Sequence, residues 1–320
     1  MSGFAGQMAD SWRTRHDSEN RLGADQLAAL AAVVEFGSFD AAAERLHVTP
    51  SAVSQRIKAL EQRVGQVLVV REKPCKATAA GVPLVRLAAQ TSLLESEALD
   101  ALGRPDAQRL RAAIAVNADS MATWFTGVLG QLDHVLFDIR IEDQDHSARL
   151  LRDGTVMGAV TTERSSIPGC RVESLGVMRY VPVASPTYVE RYLHGGFTSD
   201  AAALAPSLAW NRDDALQDVL LRKVFRRAIS RPIHYVPTAE GFGAAVRAGV
   251  GWGMFPEQLA APALADGSFV RTADSYLDVP LYWQCWKLNS VVMEAVTAAV
   301  RSSASDLRRA RPPAQRRRHA

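Results

Sequence analysis

Residues 37–65 read GSFDAAAERLHVTPSAVSQRIKALEQRVG, and the rest of the chain is organised around them. Gly37 closes the segment before it, and the Ser38 hydroxyl can cap a short alanine-rich helix running to Leu46. Thr49 offers a second cap, with Pro50 at the first helical position, where its missing N–H costs nothing. The helix that follows has two chemically distinct faces. Val53, Ile57, Leu60 and Val64 recur at helical spacing as a core face. Ser51, Ser54, Gln55 and Lys58 recur on the opposite side, with Arg56 beside them. Hydroxyl, amide and cationic groups in that arrangement suit base edges and phosphates in the major groove of double-stranded DNA. An amphipathic surface helix is the plainer alternative. The two caps, the short turn and the polar stripe together favour a helix-turn-helix.

The flanks fit that reading. Upstream, a helix from Asp25 to Phe36 presents Leu27, Leu30, Val33 and Val34 as a third wall of the same core. Downstream, residues 66–78 read QVLVVREKPCKAT, a β-branched run broken by proline and dotted with cations. It is expected to form a two-stranded wing with Arg71, Lys73 and Lys76 near DNA phosphates; a solvated hairpin is the alternative without the helix pair. Thr78 can cap a long helix extending to about Leu102. Along it Leu84, Leu87, Thr91, Leu94, Ala98 and Ala101 form an a/d seam, although so short a seam can also pack within one chain. A homodimer is expected, because paired recognition helices must lie about one DNA turn apart to read a two-fold site; a homotetramer stays open.

Composition sets the bounds. A chain of 320 residues has room for two or three domains, and 48% apolar with 22% charged residues is ordinary for a globular protein. A net charge of +3 is too small to diagnose a nucleic-acid partner, so that case rests on local chemistry. The three cysteines, Cys75, Cys170 and Cys285, are scattered and odd in number, which suggests reduced thiols and no metal or cofactor. Residues 1–20 are polar and mixed in charge, without the apolar core of a signal peptide, and read as a disordered extension. No stretch approaches the roughly 20 apolar residues of a membrane helix, so a cytoplasmic location is expected.

Beyond Gly103-Arg104-Pro105-Asp106 the pattern changes. Leu110 to Val116 alternates as a strand, a helix follows from about Met121, and a strand falls at Phe137, Ile139 and Ile141. A helix at Ala148 to Arg152 and a strand at Val156 to Val160 complete a first set. A second set starts near Ser185, with strands at Ser207–Trp210 and Ile233–Val236 and helices at Ala215–Ala228 and from Glu240. Val279 to Lys287 is a strand expected to return to the first lobe. Alternating strands and helices imply parallel sheets and an α/β domain. The expected domains are a winged helix-turn-helix at 21–78, a linker helix at 79–104, a two-lobed effector domain at 105–305 and an arginine-rich tail at 306–320.

At this point the chain resembles a known family. GSFDAAAERLHVTPSAVSQRIKALEQRVG, the wing and TAAG resemble the DNA-binding half of LysR-type transcriptional regulators. Membership implies a two-lobed effector domain similar to periplasmic binding proteins, so the resemblance covers nearly the whole chain. IAVNADSMATWF, IEDQDHSARLLRDG, GAVTTE, PSLAWNRDD and GWGMFPE are similar to the lysine-export regulator branch. That branch senses basic amino acids and activates an exporter gene, with RNA polymerase as a further partner. The sequence departs from the common wing pattern in carrying Val69 where many members have an aromatic residue.

The effector site can also be argued from chemistry. In such a domain the ligand sits at the carboxyl ends of strands. Asn117, Asp119 and Ser120 follow one strand, Asp143 and Asp145 the next, and Asn211 and Asp213 a strand of the second lobe, with Thr161 a weaker candidate. Free N–H groups and Ser120 could hold an α-carboxylate, while acid-rich loops suit a cationic ligand such as lysine or arginine. For each loop alone, helix capping is an equal alternative. An enzyme is disfavoured: no Gly-x-Ser-x-Gly elbow, phosphate loop or zinc pattern occurs. A transport binding protein would lack the helix-turn-helix, and a ligand-independent architectural DNA binder would show no small-molecule response.

Overall fold

The computed structural model describes residues 22–102, 110–142 and 144–307, with only the backbone of 144–146. The expected N-terminal extension, Gly103 to Asp106, Asp143, the side chain of Asp145 and all but the start of the arginine-rich tail lie outside the described residues.

Three helices, α1 (Ala24–Phe36), α2 (Phe39–Leu46) and α3 (Pro50–Val64), make the N-terminal core. Ser38 caps α2 by accepting from the Ala41 N–H at 3.1 Å, and Thr49 caps α3 through Ala52 at 3.2 Å. Gly37 and Gly65 end α1 and α3 in the left-handed region, where glycine carries no Cβ penalty. Val53, Ile57 and Leu60 are fully buried against Leu30, Val33, Ala42 and Ala43. The wing is a minimal ladder of β1 (Val69–Val70) and β2 (Lys76–Ala77). Val69 is buried in this core.

The linker helix α4 spans Val82–Ala101, three residues later than a Thr78 cap implies. Thr78 instead shapes the turn ahead of it, accepting from the Gly81 N–H and donating to the Val67 carbonyl at 2.7 Å. The leucines of the expected seam do not share one environment. Leu84 packs on the DNA-binding core, and Val85, Ala88 and Leu93 are buried within the chain. Of the named seam leucines, Leu87 and Leu94 are exposed, at 38% and 39%.

The remainder is built on one mixed seven-stranded sheet. β3 (Arg111–Val116) pairs in parallel with β4 (Leu136–Ile141) and β5 (Gly158–Thr161). Between β3 and β4 lies α5 (118–129), whose middle turn, Met121–Phe125, is π-helical. After α6 (Gln144–Arg152) and β5 comes the 15-residue strand β6 (Cys170–Ala184). It runs antiparallel to β11 (Leu277–Trp286), which pairs with β5 near one end. At the other end β6 carries β9 (Gly253–Pro256) and β10 (Val270–Arg271). Around β9 gather α7 (Pro186–Tyr192), α8 (Ser199–Leu204), α9 (Leu216–Phe225), α10 (Ala239–Arg247), α11 (Glu257–Ala265) and the parallel pair β7 (Ser207–Ala209) and β8 (Ile233–Tyr235). The helix α12 (Val291–Ser303) returns to cover the first lobe.

Two lobes therefore share β6 and β11. The parallel pairing expected from alternating strands and helices holds for β3, β4 and β5 and for β7 with β8, while the two long strands β6 and β11 run antiparallel to their neighbours and make the sheet mixed. Their ladder shifts register between Leu281 and Tyr282, opposite Gly176 and Ser174, and Gly176 takes a φ of 124°.

Candidate functional site

The first site is a surface. With Val53, Ile57 and Leu60 buried, helical geometry turns Ser51, Gln55 and Lys58 to solvent, and all three are exposed; Ser54 between them is half-buried. Arg71, Lys73 and Lys76 of the wing are exposed as well. The wing is fixed to the helices: Leu68 N–H donates to the Glu61 carboxylate at 2.9 Å, and Cys75 N–H to the Gly37 carbonyl at 2.7 Å. Three named residues have work inside the chain. Arg56 reaches back to Asp25 at 3.3 Å, the Arg71 guanidinium lies 5.1 Å from the Phe39 ring centre, and Ser38 caps α2.

The second site is an open cleft between the lobes. Asp119 enters it from the first lobe, Tyr180 from the shared strand β6, and Trp210 and Asp214 from the second lobe. Leu216, Phe242, Met254 and Phe255 form apolar walls. The cleft lies beyond the carboxyl ends of β3 and β7, as expected for an open α/β arrangement. Asp119 is held by the Tyr180 hydroxyl, which donates to its Oδ2 at 2.6 Å. Burial pushes the Asp119 carboxyl up to about 6, against the lowering effect of that bond, and the Asp214 charge pushes the same way as burial. Burial and the Asp119 charge raise the Tyr180 phenol, keeping it a donor. Asp214 accepts from the Trp210 N–H at 2.9 Å and the Leu216 N–H at 3.1 Å, so it shapes its loop as well as facing the cleft.

Beside Asp119, the Asn117 Oδ1 accepts from the Ser120 N–H at 2.7 Å. The Asn117 Nδ2 and the Ser120 Oγ are buried without a hydrogen-bond partner among the described residues. Such groups are costly unless something else satisfies them.

Several expected effector residues fall elsewhere. Asp213 is exposed and off the cleft, and the next residue, Asp214, takes its place. Asn211 accepts from the N–H groups of Asp213 and Asp214, which makes it part of the loop's own turn. Thr161 is buried and donates to the Glu163 carbonyl, in a network organised by Gln284. Tyr180 and Trp210 were not foreseen. Tyr180 sits in a strand the sequence did not reveal, and only its place at the lobe junction marks it. Among the described residues no cluster of three or more His, Cys, Asp or Glu side chains could hold a metal, and the three cysteines are free and buried. No helix among them is long and apolar enough to cross a membrane.

Residues 24–82 match the bacterial regulatory helix-turn-helix family of lysR type, and residues 103–304 match the LysR substrate binding domain. The HTH-type transcriptional regulator LysG of Mycobacterium tuberculosis is 71% identical over 290 residues, covering 90% of this chain and 96% of that protein. The lysine export transcriptional regulatory protein LysG of Corynebacterium glutamicum is 42% identical over 279 residues, covering 86% and 95%. The structure of full-length Corynebacterium glutamicum LysG with bound effector Arg superposes with a TM-score of 0.72 at 38% identity, over 90% of this chain and all of that one. A polar-faced helix on a helix-turn-helix core, joined by a linker helix to a two-lobed α/β domain, is thus shared with these regulators from end to end. The chain belongs to the LysR family of DNA-binding transcriptional regulators and is no enzyme.

Proposed function

We propose that this regulator senses a basic amino acid, arginine or lysine, in the cleft between its lobes and controls a gene for amino-acid export. The observation that carries the reading is Asp119, a half-buried carboxylate in the cleft across from Asp214. A ligand ammonium or guanidinium would neutralise two anions at once, and the aromatic wall of Trp210 and Tyr180 suits a cation in the same place. The unsatisfied Asn117 Nδ2 and Ser120 Oγ, flanking Asp119, fit the α-carboxylate. Support also comes from the arginine bound to Corynebacterium glutamicum LysG and from the lysine export in that relative's name.

Ser51, Ser54, Gln55 and Lys58 then read bases, with Thr49 and Pro50 setting the helix start, while Arg71, Lys73 and Lys76 contact phosphates. Working on an operator, the protein acts in the cytoplasm as a dimer or tetramer through the exposed Leu87 and Leu94, with RNA polymerase as its downstream partner. Asp143 and Asp145 stay proposed effector residues on the sequence alone.

DNase footprinting upstream of the neighbouring, divergently transcribed gene, with and without lysine, arginine and histidine, tests the reading. A footprint whose extent or affinity changes with lysine or arginine is expected. A footprint indifferent to all three returns the chain to a regulator of another pathway with a different small-molecule effector, or to a ligand-independent DNA binder.

A further inference from the structure

The linker helix α4 belongs to two cores at once. Leu84, Val85 and Ala88 pack with the DNA-binding helices, whereas Leu93 packs with the core of the effector domain. Two polar contacts fasten its flank to the first lobe. The Arg86 guanidinium donates to the Pro168 carbonyl at 2.8 Å and the Gly169 carbonyl at 2.7 Å, and lies 5.7 Å from the Trp286 ring centre. Three turns further along, the Glu97 carboxylate accepts from the Ser290 hydroxyl at 2.5 Å and the Val292 N–H at 3.0 Å, at the N-terminus of the 13-residue helix α12. Close backbone approach adds a third contact: a Cβ at Gly154 would stand 2.9 Å from the Arg86 Cα.

The places gripped matter more than the number of bonds. Pro168 and Gly169 immediately precede β6, and Trp286 ends β11. These are the first-lobe ends of the two strands that both lobes share. The same strands carry the register shift at Leu281 and Tyr282, and β6 carries Tyr180 into the cleft. A ligand touching Asp119 on one lobe and Asp214 on the other favours the lobe arrangement that brings them together. The second lobe can only act on the operator by moving against a body that includes the DNA-binding module.

We propose that Arg86 and Glu97 are positioning residues that clamp the DNA-binding module to the first lobe, so that occupancy of the cleft is felt at the operator. The inference rests on the reading of the cleft as an effector site. Coupling of this kind is reciprocal: operator and effector must change each other's affinity by one common factor, commonly about 5- to 150-fold. The clamp supplies that factor without touching either ligand. Its loss should leave both separate affinities in place, because the carbonyls that Arg86 holds are solvent-accessible and water can take over.

The test uses the full chain and an operator duplex selected from random sequence with the wild-type protein. Calorimetric affinity for arginine is measured with and without operator, for wild type, Arg86→Met, Glu97→Ala and the double variant, with thermal melts to confirm folding. Glu97→Gln, which keeps an acceptor for Ser290 and Val292, is the conservative control. The expected result is a coupling factor that falls to within about twofold of one in Arg86→Met and Glu97→Ala, with separate affinities held, and recovers in Glu97→Gln. A factor undiminished in the double variant, a wild-type factor of one, or a loss of coupling only in step with both affinities would overturn the clamp. Arginine and lysine failing to bind the wild type at all would instead sink the cleft reading and the clamp with it.

Discussion

Tyr180, on a strand shared by both lobes, donates a 2.6 Å hydrogen bond to Asp119, which is half-buried at the start of a first-lobe helix. This bond crosses the lobe junction. Burial and the nearby Asp214 raise the Asp119 carboxyl to about 6, far above its ordinary value of 3.8. An acid whose folded value is raised favours the folded state when protonated. That contribution is full below about pH 4 and is lost as pH rises through 6.

Asp119→Asn should therefore stabilise the ligand-free protein at neutral pH, by up to about 3 kcal/mol, while removing its response to arginine. Thermal melts at pH 5 and pH 7.5 check it. The gain should appear at the higher pH and shrink at the lower one.

Effector affinity should carry the same signature. A cation needs Asp119 ionised, so arginine binding should be flat above about pH 7 and weaken as pH falls through 6, by about tenfold per unit. Isothermal titration across pH 5 to 8 measures it; a profile unchanged over that range would remove Asp119 from the contact.

On DNA, Gln55→Ala should cost about 1–3 kcal/mol at its cognate base pair while leaving non-specific binding nearly unchanged. Lys73→Ala or Lys76→Ala should weaken all sequences alike and reduce the salt slope by about one. Gel shifts over a salt series separate the two behaviours.

Replacing the exposed Leu87 and Leu94 with Asp puts charge on the remaining apolar stripe of the linker helix without disturbing Val85, Ala88 or Leu93 beneath it. Sedimentation should then show a monomer with folded modules and greatly reduced operator affinity. A dimer that survives the change places the interface elsewhere.

Gly154→Ala should loosen the linker helix from the first lobe. Gly154 has a φ of 76°, and the added methyl would meet the Arg86 backbone at 2.9 Å. The left-handed backbone alone costs about 1–2 kcal/mol, and hydrogen exchange along α4 should rise.

The N-terminal core was legible because its signals are local. Ser38, Thr49, Pro50 and Gly65 mark helix ends by the groups they offer or lack, and Val53, Ile57 and Leu60 recur at one period. The same logic located β3, β4 and β11 and the helices that follow β3 and β4, but not α12 after β11. It missed β6, where Gly176, Arg179 and Pro182 interrupt any simple alternation, and with it the mixed sheet and Tyr180. It runs the a/d seam through Leu84, because a helix that packs on two cores buries more than one stripe.

Of the candidate cleft, the sequence marks Asp119 and the neighbourhood of Asp214, but neither Tyr180 nor Trp210. The loop Asn211 to Asp214 was named from its place after a strand, yet nothing local distinguishes Asp213 from Asp214. The turn made by Asn211 aims one outward and one into the cleft. Asp119 was read beside Ser120 as a carboxylate-binding neighbourhood, whereas its burial gives it the opposite charge preference. That is a property of the assembled lobes.

The central claim is that a basic amino acid binds between Asp119 and Asp214. Calorimetry of the full-length protein with arginine, lysine and norleucine, for wild type and Asp119→Asn, addresses it directly. Arginine or lysine should bind wild type at micromolar to millimolar concentration, norleucine far more weakly, and Asp119→Asn should lose about 100-fold or more, the equivalent of roughly 3–5 kcal/mol for an uncompensated buried charge. Equal binding of norleucine and lysine, or arginine binding undiminished in Asp119→Asn, would contradict the claim.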